Sequence, residues 1–181
     1  ETFDFIRENQ NRPFFLYLPY TIPHAELLVP EEDLALYLEE DGTSRFEETP
    51  FEGNWLYRSQ DQPKAAFAAM ITKMDGDIGE MVRLLEELGI RERTLILFTS
   101  DNGPHAEGGI HPDDFDSNGP LRGYKRDLYE GGIRVPMIMS GPGIPPGTTN
   151  DMPGAFWDMV PTFTDMLGIP SAIPHDGISL W

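Results

Sequence analysis

Three short apolar runs along the chain have the length and the residue types of buried β-strands. Residues 94–100 begin Thr-Leu-Ile-Leu-Phe, a β-branched and apolar run that is typical of a strand covered on both faces. Residues 14–18 and residues 135–139 have the same character, and Pro136 suits the start of the latter run. The pattern therefore predicts a strand in each of these places.

Helical periodicity is strongest in residues 63–88, where apolar side chains recur at three- and four-residue spacing. Pro63 suits the first turn of a helix, and Gly89 suits the position just after the last turn. The pattern predicts a long amphipathic helix that packs on a sheet.

Two shorter helices and one irregular segment complete the predicted elements. Residues 31–40 are acidic and predict a short helix, and residues 158–167 predict another that begins at a capping Asp158. Residues 41–62 show no periodicity and are expected to cross the surface irregularly. The order strand, helix, strand, strand, helix predicts an α/β fold, part of an α/β sandwich with a mixed, mostly parallel sheet.

A polar run follows the strand predicted at residues 94–100. Asp101 offers a carboxylate and Asn102 an amide carbonyl, and Gly103 then turns the chain. Ligands of open α/β sheets bind just beyond the carboxyl ends of the strands. The two side chains are hard oxygen donors that suit Ca²⁺ or Mg²⁺ better than zinc. Taken alone, the same run is more typical of a plain turn than of a metal site.

Further motifs accompany this run in a fixed order. Residues 13–20 (Pro-Phe-Phe-Leu-Tyr-Leu-Pro-Tyr) precede Pro23 and His24, and residues 119–136 contain the pattern Lys-x-x-x-Tyr-Glu-Gly-Gly. Together with Asp-Asn-Gly, these motifs resemble the type I sulfatases of the alkaline phosphatase superfamily. The resemblance covers most of the chain except about residues 31–63. It implies an alkaline-phosphatase-like α/β sandwich and the hydrolysis of sulfate monoesters.

The resemblance also implies roles for individual residues. Asp101 and Asn102 match calcium ligands of the family, with Mg²⁺ as the alternative ion. Lys125 matches a lysine that contacts the sulfate, where an ammonium group stabilises negative charge on the bridging oxygen as the S–O bond breaks. His24 matches a histidine that contacts the sulfate or protonates the leaving group. His105 is expected near the mouth of the pocket, against the organic part of the substrate.

Two elements of the family pattern are absent. Family members carry Cys-x-Pro-x-Arg or Ser-x-Pro-x-Arg, whose first residue matures to the formylglycine nucleophile, and an earlier pair of aspartates that completes the calcium site. The 181 residues contain no cysteine and neither motif. We therefore expect residues 1–181 to be the distal portion of a sulfatase catalytic domain, without its nucleophile-bearing half and its C-terminal subdomain. This portion alone is expected to be inactive, and the family suggests a secreted or periplasmic protein.

The charge of the chain limits its partners. A formal net charge of −18 argues against nucleic acids and acidic membrane surfaces, and no apolar run approaches the ~20 residues that span a bilayer. Four basic residues nevertheless lie close together and predict a cationic pocket: Arg122, Lys125, Arg126 and Arg134. The resemblance implies that a sulfated small molecule or glycan is the partner of this pocket. Arg122 is expected to pair with the acidic residues of the preceding loop, which are Asp113, Asp114 and Asp116. His111 and His175 are expected to be exposed.

Two other functions stay open from the sequence. A phosphatase or phosphodiesterase of the same superfamily requires zinc-type ligands, and Asn102 disfavours this reading because the related phosphatases have histidine there. A sulfatase-like protein that binds calcium or sulfated glycans without turnover is the second alternative.

Overall fold

The computed structural model describes all residues 1–181, which divide into two compact units, residues 1–144 and 145–181. The first unit contains the helices α1 (Thr2–Asn9), α2 (Glu31–Leu34), α3 (Pro63–Glu87) and α4 (Glu130–Ile133) and the strands β1 (Ile96–Thr99) and β2 (Met137–Ser140). The second unit contains α5 (Met159–Met166). Single turns of 3₁₀ helix lie at Ala35–Tyr37, Arg91–Arg93, Pro112–Asp114 and Phe156–Asp158. Not one of these helices combines the length and the apolar character that crossing a lipid bilayer requires.

The long helix α3 confirms the strongest prediction from the sequence. It begins at Pro63, and Gly89, just beyond its last turn, adopts a positive φ of 65°. Its first-turn amides are capped from a distant part of the chain, because the Glu48 carboxylate accepts hydrogen bonds from the backbone N–H groups of Lys64 and Ala65, both at 2.9 Å. The irregular segment before α3 thus stabilises the start of the helix.

Two apolar clusters pack against opposite ends of α3. Near its C-terminus, one cluster joins the helix to α1 and the residues that follow α3: Ile6, Leu84, Leu85 and Ile90. Near its N-terminus, the other joins the helix to two loops: Leu27, Ala66, Met70 and Ile110. Since both loops are held by the second cluster, the first half of α3 fixes the position of the side chains that they carry.

The sheet is smaller than predicted. β1 and β2 pair antiparallel, with Ile96 opposite Ser140 and Thr99 opposite Met137. All four residues of β1 are half-buried, so neither face is fully covered. The only paired strands therefore differ from the predicted mostly parallel arrangement. Residues 100–136 contain no helix longer than four residues, and the chain returns directly alongside β1 without a helical crossover.

The strand predicted at residues 14–18 is absent. Phe14 and Leu16 pack against the cluster at the C-terminal end of α3, whereas Phe15 and Tyr17 are exposed. The alternation resembles that of a strand, but the single ladder in the chain joins β1 and β2. An apolar run becomes a strand only beside a pairing partner, which the run itself does not specify.

The other predicted elements are largely confirmed. The acidic helix of residues 31–40 comprises α2 and one 3₁₀ turn, and residues 41–62 are irregular apart from isolated bridges. In the second unit, Asp158 precedes α5 but does not cap it. Its carboxylate instead accepts hydrogen bonds from the backbone N–H groups of Ala155 at 2.8 Å and Ile178 at 2.9 Å.

Candidate active site

His24 and Lys125, which the sequence assigns to one site, lie in direct contact. Lys125 Nζ is 2.8 Å from His24 Nε2, although the two residues are 101 positions apart. The other ring nitrogen, His24 Nδ1, is 2.5 Å from the carbonyl oxygen of Ala25. Because a carbonyl oxygen only accepts hydrogen bonds, Nδ1 carries the proton, and Nε2 accepts from the ammonium group. The Lys125 side chain is 17% exposed, so it is not an ordinary surface lysine.

A carboxylate that the sequence analysis did not single out joins this pair. Glu107 Oε2 lies 3.5 Å from Lys125 Nζ and 3.5 Å from His24 Nε2, and Oε1 forms an ion pair with Arg126. We call these four residues the Glu107 cluster. Burial would raise the pKa of Glu107, but the hydrogen bond from Arg126 and the charges of Lys125 and Arg126 outweigh it and lower this pKa below its ordinary value. The cluster thus holds an ionised carboxylate among basic groups.

His105 lies beside His24 and is buried, with 8% of its surface exposed. The two ring centroids are 5.6 Å apart, and Phe67 of α3 packs on His105 at 6.0 Å. His105 Nε2 donates to the carbonyl oxygen of Pro23 at 3.0 Å, while Nδ1 has no hydrogen-bond partner. Burial lowers the pKa of His105, which keeps its ring neutral. Its contact with a substrate stays a prediction.

Asp101 and Asn102 lie just beyond the end of β1, as predicted. The Asp101 carboxylate is exposed and pairs with no other side chain. Asn102 Nδ2 donates to the carbonyl oxygen of Gly103 at 2.9 Å, which leaves Oδ1 as a free acceptor. The donor set fits a hard cation, since both groups present oxygen. The structure brings no three His, Cys, Asp or Glu side chains to a shared metal position, so these two residues form at most part of a coordination shell.

Backbone contacts join the Asp101–Asn102 loop to the segment that carries Lys125. Gly103 N–H donates to Gly132 O at 3.0 Å, and Lys125 N–H donates to Pro104 O at 2.8 Å. A Cβ atom at Gly103 would lie 2.0 Å from Gly131 O, so only glycine permits this approach. The glycines of the two motifs therefore hold the two loops together, with the oxygen donors on one loop and Lys125 on the other.

The predicted pairing of Arg122 with the acidic loop is wrong. The Arg122 guanidinium stacks over the Tyr129 ring, 3.7 Å from its centroid. Asp114 pairs instead with Lys64 of α3 at 3.0 Å. Proximity in sequence suggested Arg122 as the partner, whereas packing on α3 brings Lys64 closer.

Sequence reasoning missed Glu107 and the partner role of Arg126. Glu107 is one of 31 acidic residues, and its only local signal is its place two residues after His105 and just before Gly108. Tyr57 was also missed. Its hydroxyl donates to Glu107 Oε2 at 3.5 Å, and its ring lies 6.3 Å from that of His24. All of these contacts depend on the folding of distant segments.

Comparisons with known proteins all identify sulfatases as similar to this chain. A family model described as Sulfatase matches residues 1–169. The steryl-sulfatase of Homo sapiens is 34% identical over 98% of this chain, and the N-acetylgalactosamine-6-sulfatase of Canis lupus familiaris is 31% identical over 99%. The chain spans only 26% and 30% of the lengths of these two proteins.

A solved structure has the same fold over nearly the whole chain. The crystal structure of Ps i-CgsB in complex with k-i-k-neocarrahexaose matches with a TM-score of 0.76 at 28% identity, and the match covers 99% of this chain and 36% of the other. This likeness confirms the predicted α/β fold. Because the family model matches nearly all of the chain and the fold agrees with it, the chain belongs to the Sulfatase family.

Proposed function

We propose that the full-length protein carrying this chain is a sulfuric ester hydrolase, and that this chain supplies the residues that contact the sulfate group. The observation that carries the proposal is the 2.8 Å contact between Lys125 Nζ and His24 Nε2, which joins two motifs that are distant in the sequence. Curated relatives that are themselves sulfatases support the same reading.

Lys125 is suited to bind an anion. An ammonium group has three N–H donors, and in this structure one faces His24 and another faces Glu107. The third is available to a sulfate oxygen, where its charge stabilises the negative charge that develops as the S–O bond breaks. His24 contacts the sulfate beside it or, once protonated on Nε2, donates a proton to the leaving oxygen.

Asp101 and Asn102 would hold a cation, which we propose to be Ca²⁺, with Mg²⁺ as the alternative. When bound, such an ion supplies Lewis acidity toward a sulfate oxygen. Calcium takes six to eight oxygen ligands, so residues outside 1–181 and the substrate would complete its shell. The formylglycine nucleophile would likewise come from outside, because these residues contain no cysteine and no Ser-x-Pro-x-Arg motif. Residues 1–181 would thus form the distal portion of the catalytic domain and be inactive alone.

The substrate class we propose is a sulfated small molecule or glycan. Support comes from relatives named for a steryl substrate and for N-acetylgalactosamine-6-sulfate, and from a structural neighbour solved with k-i-k-neocarrahexaose. The net charge of −18 gives no support to a polyanionic partner such as nucleic acid.

The test compares two esters of the same phenol. The full-length protein should release sulfate from the aryl sulfate faster than it releases phosphate from the aryl phosphate. Faster phosphate release would transfer the assignment to the phosphatases of the superfamily. Release of neither anion would indicate a sulfatase-like binding protein without turnover.

A further inference from the structure

Glu107 is an acidic side chain placed among basic ones in the candidate active site. Its side chain is 9% exposed, and its two oxygens face different partners. Oε1 pairs with Arg126, while Oε2 lies 3.5 Å from each of Lys125 Nζ, His24 Nε2 and the Tyr57 hydroxyl. A carboxylate in a site for an anionic substrate opposes binding by its charge alone, so its presence there requires an explanation.

The contacts of Glu107 give that explanation. Lys125 and Arg126 are adjacent cations in the sequence, and Lys125 is largely withdrawn from water. A buried ammonium group without a counter-ion is strongly unfavourable. The carboxylate neutralises this charge and also draws Lys125 Nζ toward His24, since Oε2 is equidistant from both nitrogen atoms.

We propose that Glu107 is a positioning residue, which holds the Lys125 ammonium group against His24 in the arrangement that binds the sulfate group. This inference rests on the proposed function of the same site. Glu107 itself does not touch the sulfate, because two anions repel each other. It acts through the Lys125 ammonium group, which it aligns with His24 while leaving one N–H group of Lys125 for the substrate.

The test is Glu107→Gln in the full-length protein, with Asp114→Asn as the matched control. The control removes the charge of Asp114, which is also a partly buried carboxylate paired with a lysine. Asp114 and its partner Lys64 both lie outside the Glu107 cluster. We measure kcat and KM with an aryl sulfate, the Kd of inorganic sulfate by calorimetry, and the thermal midpoint. Displacing a positioned group by about 1 Å can lower catalysis on the order of 10²-fold. We therefore expect kcat/KM to fall roughly 10- to 100-fold in E107Q and to stay near wild type in D114N.

The direction of the change in the sulfate Kd distinguishes the loss of side-chain alignment from the loss of the negative charge of Glu107. Loss of a negative charge alone would tighten sulfate binding, so a weaker Kd in E107Q reports lost alignment of Lys125 and His24. A merely structural role of Glu107 would lower the thermal midpoint of E107Q and leave the Kd of the folded protein unchanged. In a Lys125→Ala background, E107Q should no longer weaken sulfate binding, because the group that it positions is gone and only the loss of negative charge remains.

Further outcomes separate failure of the positioning role of Glu107 from failure of the proposed function. An unchanged or tighter Kd in E107Q overturns the positioning role while leaving sulfatase activity of the wild type intact. If the wild type hydrolyses no sulfate ester, the proposed function fails, and the Kd comparison still tests positioning. If E107Q does not fold, Glu107→Asp keeps the charge with a shorter reach. E107D should bind sulfate with a larger Kd than the wild type does. A Kd equal to that of the wild type in E107D also overturns the positioning role of Glu107.

Discussion

His105 is buried beside the candidate active site, yet its Nδ1 atom has no hydrogen-bond partner. Burial lowers the pKa of the ring, the hydrogen bond to Pro23 and the charge of Glu107 oppose that effect, and the charges of His24 and Lys125 add to it. The folded protein therefore holds the neutral ring below pH 6.5, the ordinary value, where the unfolded chain already binds a proton. Protonation of this residue consequently favours unfolding.

The first prediction concerns the acid sensitivity of the fold. For a base with a lowered pKa, stability is complete above pH 6.5 and decreases as the pH falls toward the folded-state pKa. We expect His105→Gln, whose amide can still donate to Pro23, to flatten the decline of the thermal midpoint between pH 7.5 and about pH 5. The control His175→Gln changes an exposed ring. Equal pH slopes in the wild type and H105Q would show that His105 does not supply the effect.

At the scale of elements, α3 is the scaffold of the candidate active site. Its position was predictable because apolar spacing, Pro63 and Gly89 all report local structure. Its capping by Glu48 was not predictable, since the carboxylate reaches Lys64 and Ala65 from 16 and 17 residues away. The local N-cap, Gln62, makes no capping hydrogen bond with its side chain. Local signals thus specify the helix, and folding supplies the groups that satisfy its ends.

The contact between the Asp101–Asn102 loop and the Lys125 segment gives a prediction about glycines. Gly103→Ala would place Cβ 2.0 Å from Gly131 O and force the two loops apart. We expect a lower thermal midpoint and a loss of most sulfate ester hydrolysis in the full-length protein, because the oxygen donors and Lys125 separate.

The matched control for this change is Gly76→Ala within α3. A Cβ atom there meets nothing within 4 Å. Alanine in a helix interior stabilises by roughly 0.5–1 kcal/mol relative to glycine, so G76A should raise the thermal midpoint slightly and leave turnover unchanged. Wild-type turnover in G103A would mean that the close approach of the two loops is not needed for the site.

At the scale of the whole molecule, the sequence predicted that two distant motifs meet, but not which side chains surround them. The resemblance of the motifs to the sulfatases made His24, Lys125 and the oxygen donors after β1 the candidates, and the structure brings the first two into contact. It could not identify Glu107, because no local pattern distinguishes this carboxylate from the other acidic residues of a chain with net charge −18. Nor could it supply the pairing of strands, which depends on neighbours along the sheet rather than on the apolar runs themselves.

The chain covers about a quarter to a third of the length of its curated relatives, so the test of turnover uses the full-length protein. We propose that Lys125 of this chain contacts the sulfate group. The most direct test is the turnover of an aryl sulfate by Lys125→Ala in that protein, with thermal midpoints measured in parallel. Removal of one charge-stabilising donor lowers turnover by about 10²–10³-fold, and we expect such a loss with the fold retained. Wild-type turnover in folded K125A would show that Lys125 does not stabilise the reacting sulfate group.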